Sequence, residues 1–370
     1  MKKSLTIIVI TVLLFAAYSC KRSIDPSGSQ NATYLDQTVY KTYYNDTLTG
    51  NSTLNQKANL GRVLFYDKHL SVNNAIACGS CHKQEFAFAD NASFSLGYEG
   101  HLTGRNSPAI QNLISANVLF FKNGFSGVDN FTLFWDGRET NLQNLVARPM
   151  TNHVEMGITD FSTLAEKLAQ LPYYAQLFTN AYGDNTISQP RIAECISYFL
   201  ASMNTHNSRF EQFIQNGNGF TALEIKGYNL FISTYNCSNC HHIFTNSYGQ
   251  QEAFRDIGLD AVYKDMGRGT ITGLASDNGK FKVPHLNNIA LTAPYMHDGR
   301  FKTLDEVIDH YSSGIQGSSN LDTQLCYSDK TPKNMHISES DKQALIAFLN
   351  SMTDYTFITD PKFSDPFKQQ

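Results

Sequence analysis

Charge is scarce in this chain. Asp, Glu, Lys and Arg make up only 17% of its 370 residues, and Lys plus Arg (29) falls short of Asp plus Glu (33), for a formal net charge of −4. With no basic excess to neutralise phosphates, a nucleic-acid binder is excluded as the leading class. After residue 20 no apolar run is long enough to span a bilayer and no low-complexity tract appears, which excludes an integral helical membrane protein and a disordered polymer. Cysteine occurs 7 times, an odd number, and four of the seven sit in two short motifs; a simple disulfide scaffold does not fit that usage. Tryptophan occurs once, as Trp135. What is present is a 41% hydrophobic chain, able to build a sizeable core, at a length that suggests two domains at roughly 150 residues each.

The N-terminus reads as an export signal. Lys2 and Lys3 precede an apolar run from Leu5 to Ala17, suited to a signal sequence and too short for a span. The run ends in Ala17-Tyr18-Ser19-Cys20, which resembles a bacterial lipobox, although Tyr18 is bulkier than usual there. The expectation is a signal peptide over 1–19, lipidation of Cys20, and a polar, flexible tether over 20–45 that holds the mature chain to a membrane outside the cytoplasm. An ordinary secretory peptide with an incidental cysteine is the plainer alternative.

The remainder reads as all-α. Asp160 caps an amphipathic segment through Leu168; Ile192, Cys195, Ile196, Phe199 and Leu200 keep helical spacing; Thr221 and Glu224 form a capping box; Asp341 to Met352 is a short amphipathic helix. Between them lie long Asn/Gly/Ser-rich segments, 86–130 and 244–284, of a length that in compact domains usually wraps a ligand. A weak internal repeat runs through the chain. Each copy has a Cys pair, a loop and a D-G-R turn, Trp135-Asp136-Gly137-Arg138 in the first and His297-Asp298-Gly299-Arg300 in the second. Two similar modules follow, over 46–208 and 209–370.

The Cys pairs carry the chemistry. Cys78-Gly79-Ser80-Cys81-His82 and Cys237-Ser238-Asn239-Cys240-His241 are both C-x-x-C-H. This is the attachment motif of c-type haem: two thiols reach the vinyl groups of one porphyrin edge, and the following histidine supplies an imidazole to the iron. A single helical turn meets that requirement. Structural zinc would need four ligands converging from pairs far apart in the chain. A thioredoxin-like motif has no reason to carry histidine twice and lacks its βαβ surroundings. Two covalent haems are therefore expected, with His82 and His241 as iron ligands and His242 as a surface or neighbouring histidine.

Beyond these motifs the chain resembles the bacterial di-haem cytochrome c peroxidases and the related methylamine-utilisation enzyme MauG. The matching stretches are Leu60-Gly61-Arg62-Val63-Leu64-Phe65-Tyr66-Asp67, Gly104-Arg105-Asn106-Ser107-Pro108, Phe134-Trp135-Asp136-Gly137-Arg138, Val154-Glu155-Met156 and Val283-Pro284-His285-Leu286-Asn287-Asn288, continuing to Tyr295. They occur in family order over about residues 50 to 355. The resemblance implies two cytochrome-c-like domains, a peroxidatic N-terminal haem and a C-terminal haem that accepts electrons from a small cytochrome c or cupredoxin. It implies Trp135 as a bridge between the haems and Glu155 as the distal acid–base group. It also implies a calcium ion held by the Asn106 side chain and the Thr292 and Pro294 carbonyls, and homodimerisation, which is common in the family.

The sequence also departs from the family. Where typical peroxidases place a distal histidine in a mobile loop, local matching gives Tyr98, with His101 three residues on; an open or water-ligated first haem is expected. The family's distal glutamine falls near Leu145, with Gln143 as a substitute. At the second haem the distal methionine is matched by Tyr311, the ligand type of MauG-like members, with Met296 as the rival. Cys195 and Cys326 are left over; Cys195 reads as a small buried hydrophobe. The expected activity is reduction of hydrogen peroxide to water. The alternatives are a MauG-like oxidase acting on a protein partner and a non-enzymatic di-haem electron carrier.

Overall fold

The structure, a computed structural model, describes residues 52–113, 132–243 and 253–367. The signal, Cys20 and the tether lie outside the described residues, as do parts of both long loops. Helices dominate. The first half holds α1 (Ser52–Tyr66), α2 (Leu142–Thr151), α3 (Phe161–Ala169), α4 (Pro172–Tyr182) and α5 (Gln189–Ser202). The second holds α6 (Arg209–Asn216), α7 (Ala222–Asn229), α8 (Arg268–Thr272), α9 (Leu304–Asp309), α10 (Glu339–Asn350) and α11 (Tyr355–Thr359). A short antiparallel ladder pairs β1 (Phe254–Arg255) with β2 (Phe281–Lys282). The capping expectations hold: Asp160 accepts from the Ser162 and Thr163 amides ahead of α3, and Thr221 and Glu224 form a reciprocal box at α7.

Each half is organised by a close helix crossing. α1 crosses α5 where a Cβ added to Gly61 would lie 1.9 Å from the Cys195 carbonyl oxygen. α7 crosses α10 where a Cβ on Gly227 would lie 1.9 Å from the Ala344 carbonyl oxygen. Any larger residue would push the helices apart, so glycine fixes their approach. In both halves the helix before the C-x-x-C-H motif is the one that crosses. The D-G-R turns match as well. Phe134 and Met296 both take positive φ (65° and 72°), as do Gly137 and Gly299 (66° and 62°). Leu133 bridges Glu139 as Tyr295 bridges Phe301. Trp135 and His297 thus occupy equivalent positions in the two copies, and so do Phe134 and Met296.

Separate apolar cores fill the halves. The first gathers Leu60, Val63, Leu64, Phe65, Phe88, Tyr174, Phe178 and Phe199; the second gathers Phe210, Phe231, Leu345, Phe348 and Met352. Ser208 caps α6, at the expected junction of the modules. The last segment does not follow that division. Phe357 and Phe363 belong to the first core, the Arg62 Nε donates to the Ser364 carbonyl at 2.6 Å, and the Tyr66 hydroxyl donates to the Phe363 carbonyl at 2.6 Å. The physical reason is an aromatic gap: Phe357 and Phe363 meet the ring of Phe88 edge-on, which buries apolar area the first half cannot cover alone.

The halves are joined by Arg105. Its Nε and Nη2 donate to the two Asp265 carboxylate oxygens at 2.7 and 2.9 Å, and its Nη1 donates to Asp136 at 2.6 Å. Backbone bonds add to this: the Asn106 amide donates to the His297 carbonyl at 2.7 Å and the Lys282 amide to the Trp135 carbonyl at 2.8 Å.

Candidate functional site

The first C-x-x-C-H motif forms one helical turn, Cys78–Cys81, which sets both thiols on one side. Gly79 is required there, because a Cβ would meet the Tyr66 ring at 2.5 Å. The second motif is a tighter turn, Cys237–Asn239, entered from Asn236 in the left-handed region. The two histidines are oriented alike. His82 Nδ1 lies 2.9 Å from the Phe88 carbonyl, and His241 Nδ1 lies 3.1 Å from the Pro284 carbonyl. A carbonyl can only accept, so Nδ1 carries the proton and Nε2 keeps its lone pair for a metal. Burial pushes the His82 imidazole below its ordinary range and the His241 imidazole down to about 4, so both are neutral, as ligation requires.

Both histidines face one cavity of about 1360 Å³. That exceeds the roughly 300–1,000 Å³ of an ordinary ligand pocket. Its wall is largely apolar, with Ile110, Leu113 and Leu145 from the first half and Phe231, Leu286, Leu304, Ile308 and Leu349 from the second. Cys237, Cys240, Trp135, Glu155, Asn106, Thr292, Pro294, Met296 and Tyr311 also line it. In the second half paired thiols, an anchored neutral imidazole and an apolar hollow fit a covalently held macrocycle; in the first half His82 lines the cavity while Cys78 and Cys81 do not. Trp135 sits where the halves meet: its carbonyl accepts from the Lys282 amide at 2.8 Å, and its indole Nε1 donates to the Asn106 carbonyl at 2.9 Å.

A family model described as di-haem cytochrome c peroxidase matches residues 55–219. The cytochrome c551 peroxidase of Nitrosomonas europaea is 32% identical over 257 residues, covering 68% of this chain and 71% of the relative. This chain belongs to the di-haem cytochrome c peroxidase family. The methylamine utilization protein MauG of Methylophilus methylotrophus is 29% identical over 302 residues, covering 80% of this chain and 82% of the relative. The crystal structure of a MauG-like protein associated with microbial copper homeostasis superposes with a TM-score of 0.73 at 31% identity, covering 84% of this chain and 93% of that one. As a member of the di-haem peroxidase family the chain is an oxidoreductase carrying two haem c groups.

The remaining family positions fall as follows. Glu155 lines the cavity on the first-haem side, and its Oε1 accepts from Asn152 Nδ2 at 2.6 Å. Burial pushes its carboxyl above the ordinary range, with Asn152 and the Arg138 charge pulling the other way. Asn152 was not singled out by sequence reasoning, although it lies three residues before Glu155 at the C-cap of α2. Tyr98 and His101 are not among the residues lining the cavity. The Tyr98 amide donates to the Glu155 carbonyl at 2.8 Å, and its ring packs over Gly157, where an added Cβ would lie 3.1 Å away. Leu145 lines the cavity and Gln143 does not.

On the second-haem side Tyr311 and Met296 both reach the wall. Tyr311 rides on a π-helical turn, His310–Gly314, that extends α9. Burial and the nearby Cys237 and Cys240 thiols raise its phenol pKa. Asn106 Nδ2 donates to the Ala92 carbonyl at 3.0 Å, and Asn106, Thr292 and Pro294 all line the cavity. Cys195 and Cys326 are buried apart, in the first core and in a small third cluster with Ile315 and Leu321. Among the described residues no helix is long and apolar enough to cross a membrane.

Proposed function

We propose that this protein reduces hydrogen peroxide to water at the first haem site, with electrons delivered to the second by a small cytochrome c or cupredoxin. It consists of two cytochrome-c-like modules meeting near residues 208/209, with 354–367 strapped back over the first. One observation carries the reading: the half-buried carboxyl of Glu155 lines the cavity at His82's end, and neither Tyr98 nor His101 lines the cavity. When bound, the haems supply redox-active iron and storage for single electrons. The chain's own residues do the rest. His82 offers Nε2 from a ring fixed by the Phe88 carbonyl. Glu155, held by Asn152, takes a proton from the peroxide oxygen nearer the iron and returns it to the departing one. Trp135, pinned to Asn106, fills the gap between the sites and shortens the electron path.

The test is oxidation of a ferrous cytochrome c by peroxide with the purified di-haem protein. Glu155→Gln should lower that rate by about 10²–10⁴-fold; unchanged turnover would remove Glu155 from the mechanism.

Tyr311 favours a second reading, a MauG-like oxidase acting on a protein partner. Met296 occupies the position that Phe134 holds in the first copy, on a turn that directs its side chain to the wall of the site. Tyr311 lies close to both attachment cysteines of the second site. A phenolate ligand there stabilises ferric iron. Asn106, Thr292 and Pro294 would hold a calcium ion through oxygen atoms, as a hard cation prefers. Export and lipidation at Cys20 would place the enzyme in the cell envelope.

A further inference from the structure

A second, smaller cavity adjoins the first-haem site. It has a volume of about 230 Å³ and is lined by Phe134, Arg138, Arg148, Thr151, Asn152 and Glu155. Phe134, Arg138, Asn152 and Glu155 line the large cavity too, so Glu155 and Asn152 stand in the partition between the two. Thr151 is exposed and the Arg148 side chain is 52% exposed, which opens the small cavity to solvent on that side. We propose that this cavity is the port through which peroxide and the protons for its reduction reach the first haem site. The inference rests on the peroxidase reading given above.

The chemistry of the lining suits that task. Water occupies roughly 30 Å³ a molecule in the liquid, so the space holds roughly seven or eight waters, or one peroxide with its hydration. Two guanidinium groups, an amide and a carboxyl keep it wet. The arginines do not close over Glu155. Arg138 lies 3.7 Å above the Phe134 ring and pairs with Asp136 at 3.0 Å, and Arg148 pairs with Glu139 at 2.7 Å. Reduction breaks the O–O bond, consumes two electrons and two protons, and releases two waters. The electrons come from the small redox protein. The protons must come from solvent, and a carboxyl exposed to the port on one side and to the haem cavity on the other can be reloaded after each turnover. Asn152 is the positioning residue, since it engages one carboxylate oxygen and so sets the direction of the other.

A plug in the port tests this. Thr151→Trp adds bulk at an exposed rim position at the end of α2, and nitric oxide is a neutral probe of the ferric first haem that needs no proton. The port predicts that association and dissociation rates both fall, by at least about tenfold, with Kd and the resting spectrum unchanged, because an obstacle on a path slows both directions equally. Thr151→Ala should leave both rates at or above wild type. Wild-type rates in the tryptophan variant, or a change carried by one rate alone, would overturn the port. Absence of nitric oxide binding in the wild type would sink the open-site reading and the port together. Normal port kinetics alongside full peroxide turnover in Glu155→Gln would remove Glu155's role and leave the port standing.

Discussion

His82 and His241 each commit one ring nitrogen to a backbone carbonyl, and that bond decides which nitrogen can meet a metal. Asp67 shows the same economy in a structural role. Its fully buried carboxylate accepts from the Tyr173 and Tyr174 hydroxyls at 2.8 and 2.6 Å and from the His69 ring at 2.7 Å. These donors outweigh the burial that acts against the charge, and they hold the group below its ordinary value of 3.8. As pH falls the unfolded chain therefore takes up this proton first. The stabilisation is complete above that ordinary value and is lost as pH drops through the lower folded value. Asp67→Ala strands four donors, the buried Tyr174 hydroxyl and the partly buried Tyr173 hydroxyl, His69 ring and His69 amide, and should cost about 3–5 kcal/mol, read as a drop in denaturant midpoint at neutral pH that narrows in acid. Also at this scale, Tyr311→Phe should change the ferric spectrum of the second haem; an unaltered spectrum would exclude the phenol as an iron ligand.

At the scale of elements, two glycines hold two crossings. Gly61→Ala and Gly227→Ala each drive a methyl into a carbonyl of the partner helix, and each should cost about 1–3 kcal/mol or more. Their effects should be local. Gly227→Ala loosens the helix that leads into Cys237, so the absorption and potential of the second haem should shift while the first is unchanged. Changes of equal size at both haems would show that the halves do not hold their sites independently. Turns are the other elements that matter here. Residues 97–98 are docked by their backbone on the 154–157 turn, and neither Tyr98 nor His101 lines the cavity, whereas Thr103, further along the segment, does.

For the whole molecule, the salt-bridge cluster at Arg105 ties the module carrying His82 to the one carrying His241. Arg105→Ala removes the guanidinium that Asp136 and Asp265 share, leaving Asp136 to Arg138 alone; against the burial that raises it, the Arg105 hydrogen bonds are the largest cause of Asp265's lowered pKa. Breaking such a half-buried pair costs about 1–3 kcal/mol, between the surface and the fully buried case. The expected outcome is a lower melting temperature, with oxidation of ferrous cytochrome c falling further than direct reaction of peroxide with the reduced protein. Equal losses in the two assays would place the defect within one module.

The sequence alone determined the covalent chemistry. C-x-x-C-H lies within one helical turn, so its spacing is its geometry, and the helix caps at Asp160 and Thr221 are equally local. The duplicated D-G-R turns, Trp135 and Glu155 were legible as motifs in order. What only the tertiary structure decided involves side-chain placement and residues brought together from distant segments: the hydrogen bond of Asn152 to Glu155, the docking of Tyr98 away from the cavity, the strap of 354–367 over the first core, and a small polar cavity beside the Glu155 carboxyl. Short-range spacing is fixed by backbone geometry. Which side chain faces an iron from the far side is fixed by how distant segments bury their apolar surface, and no single stretch of sequence carries that information.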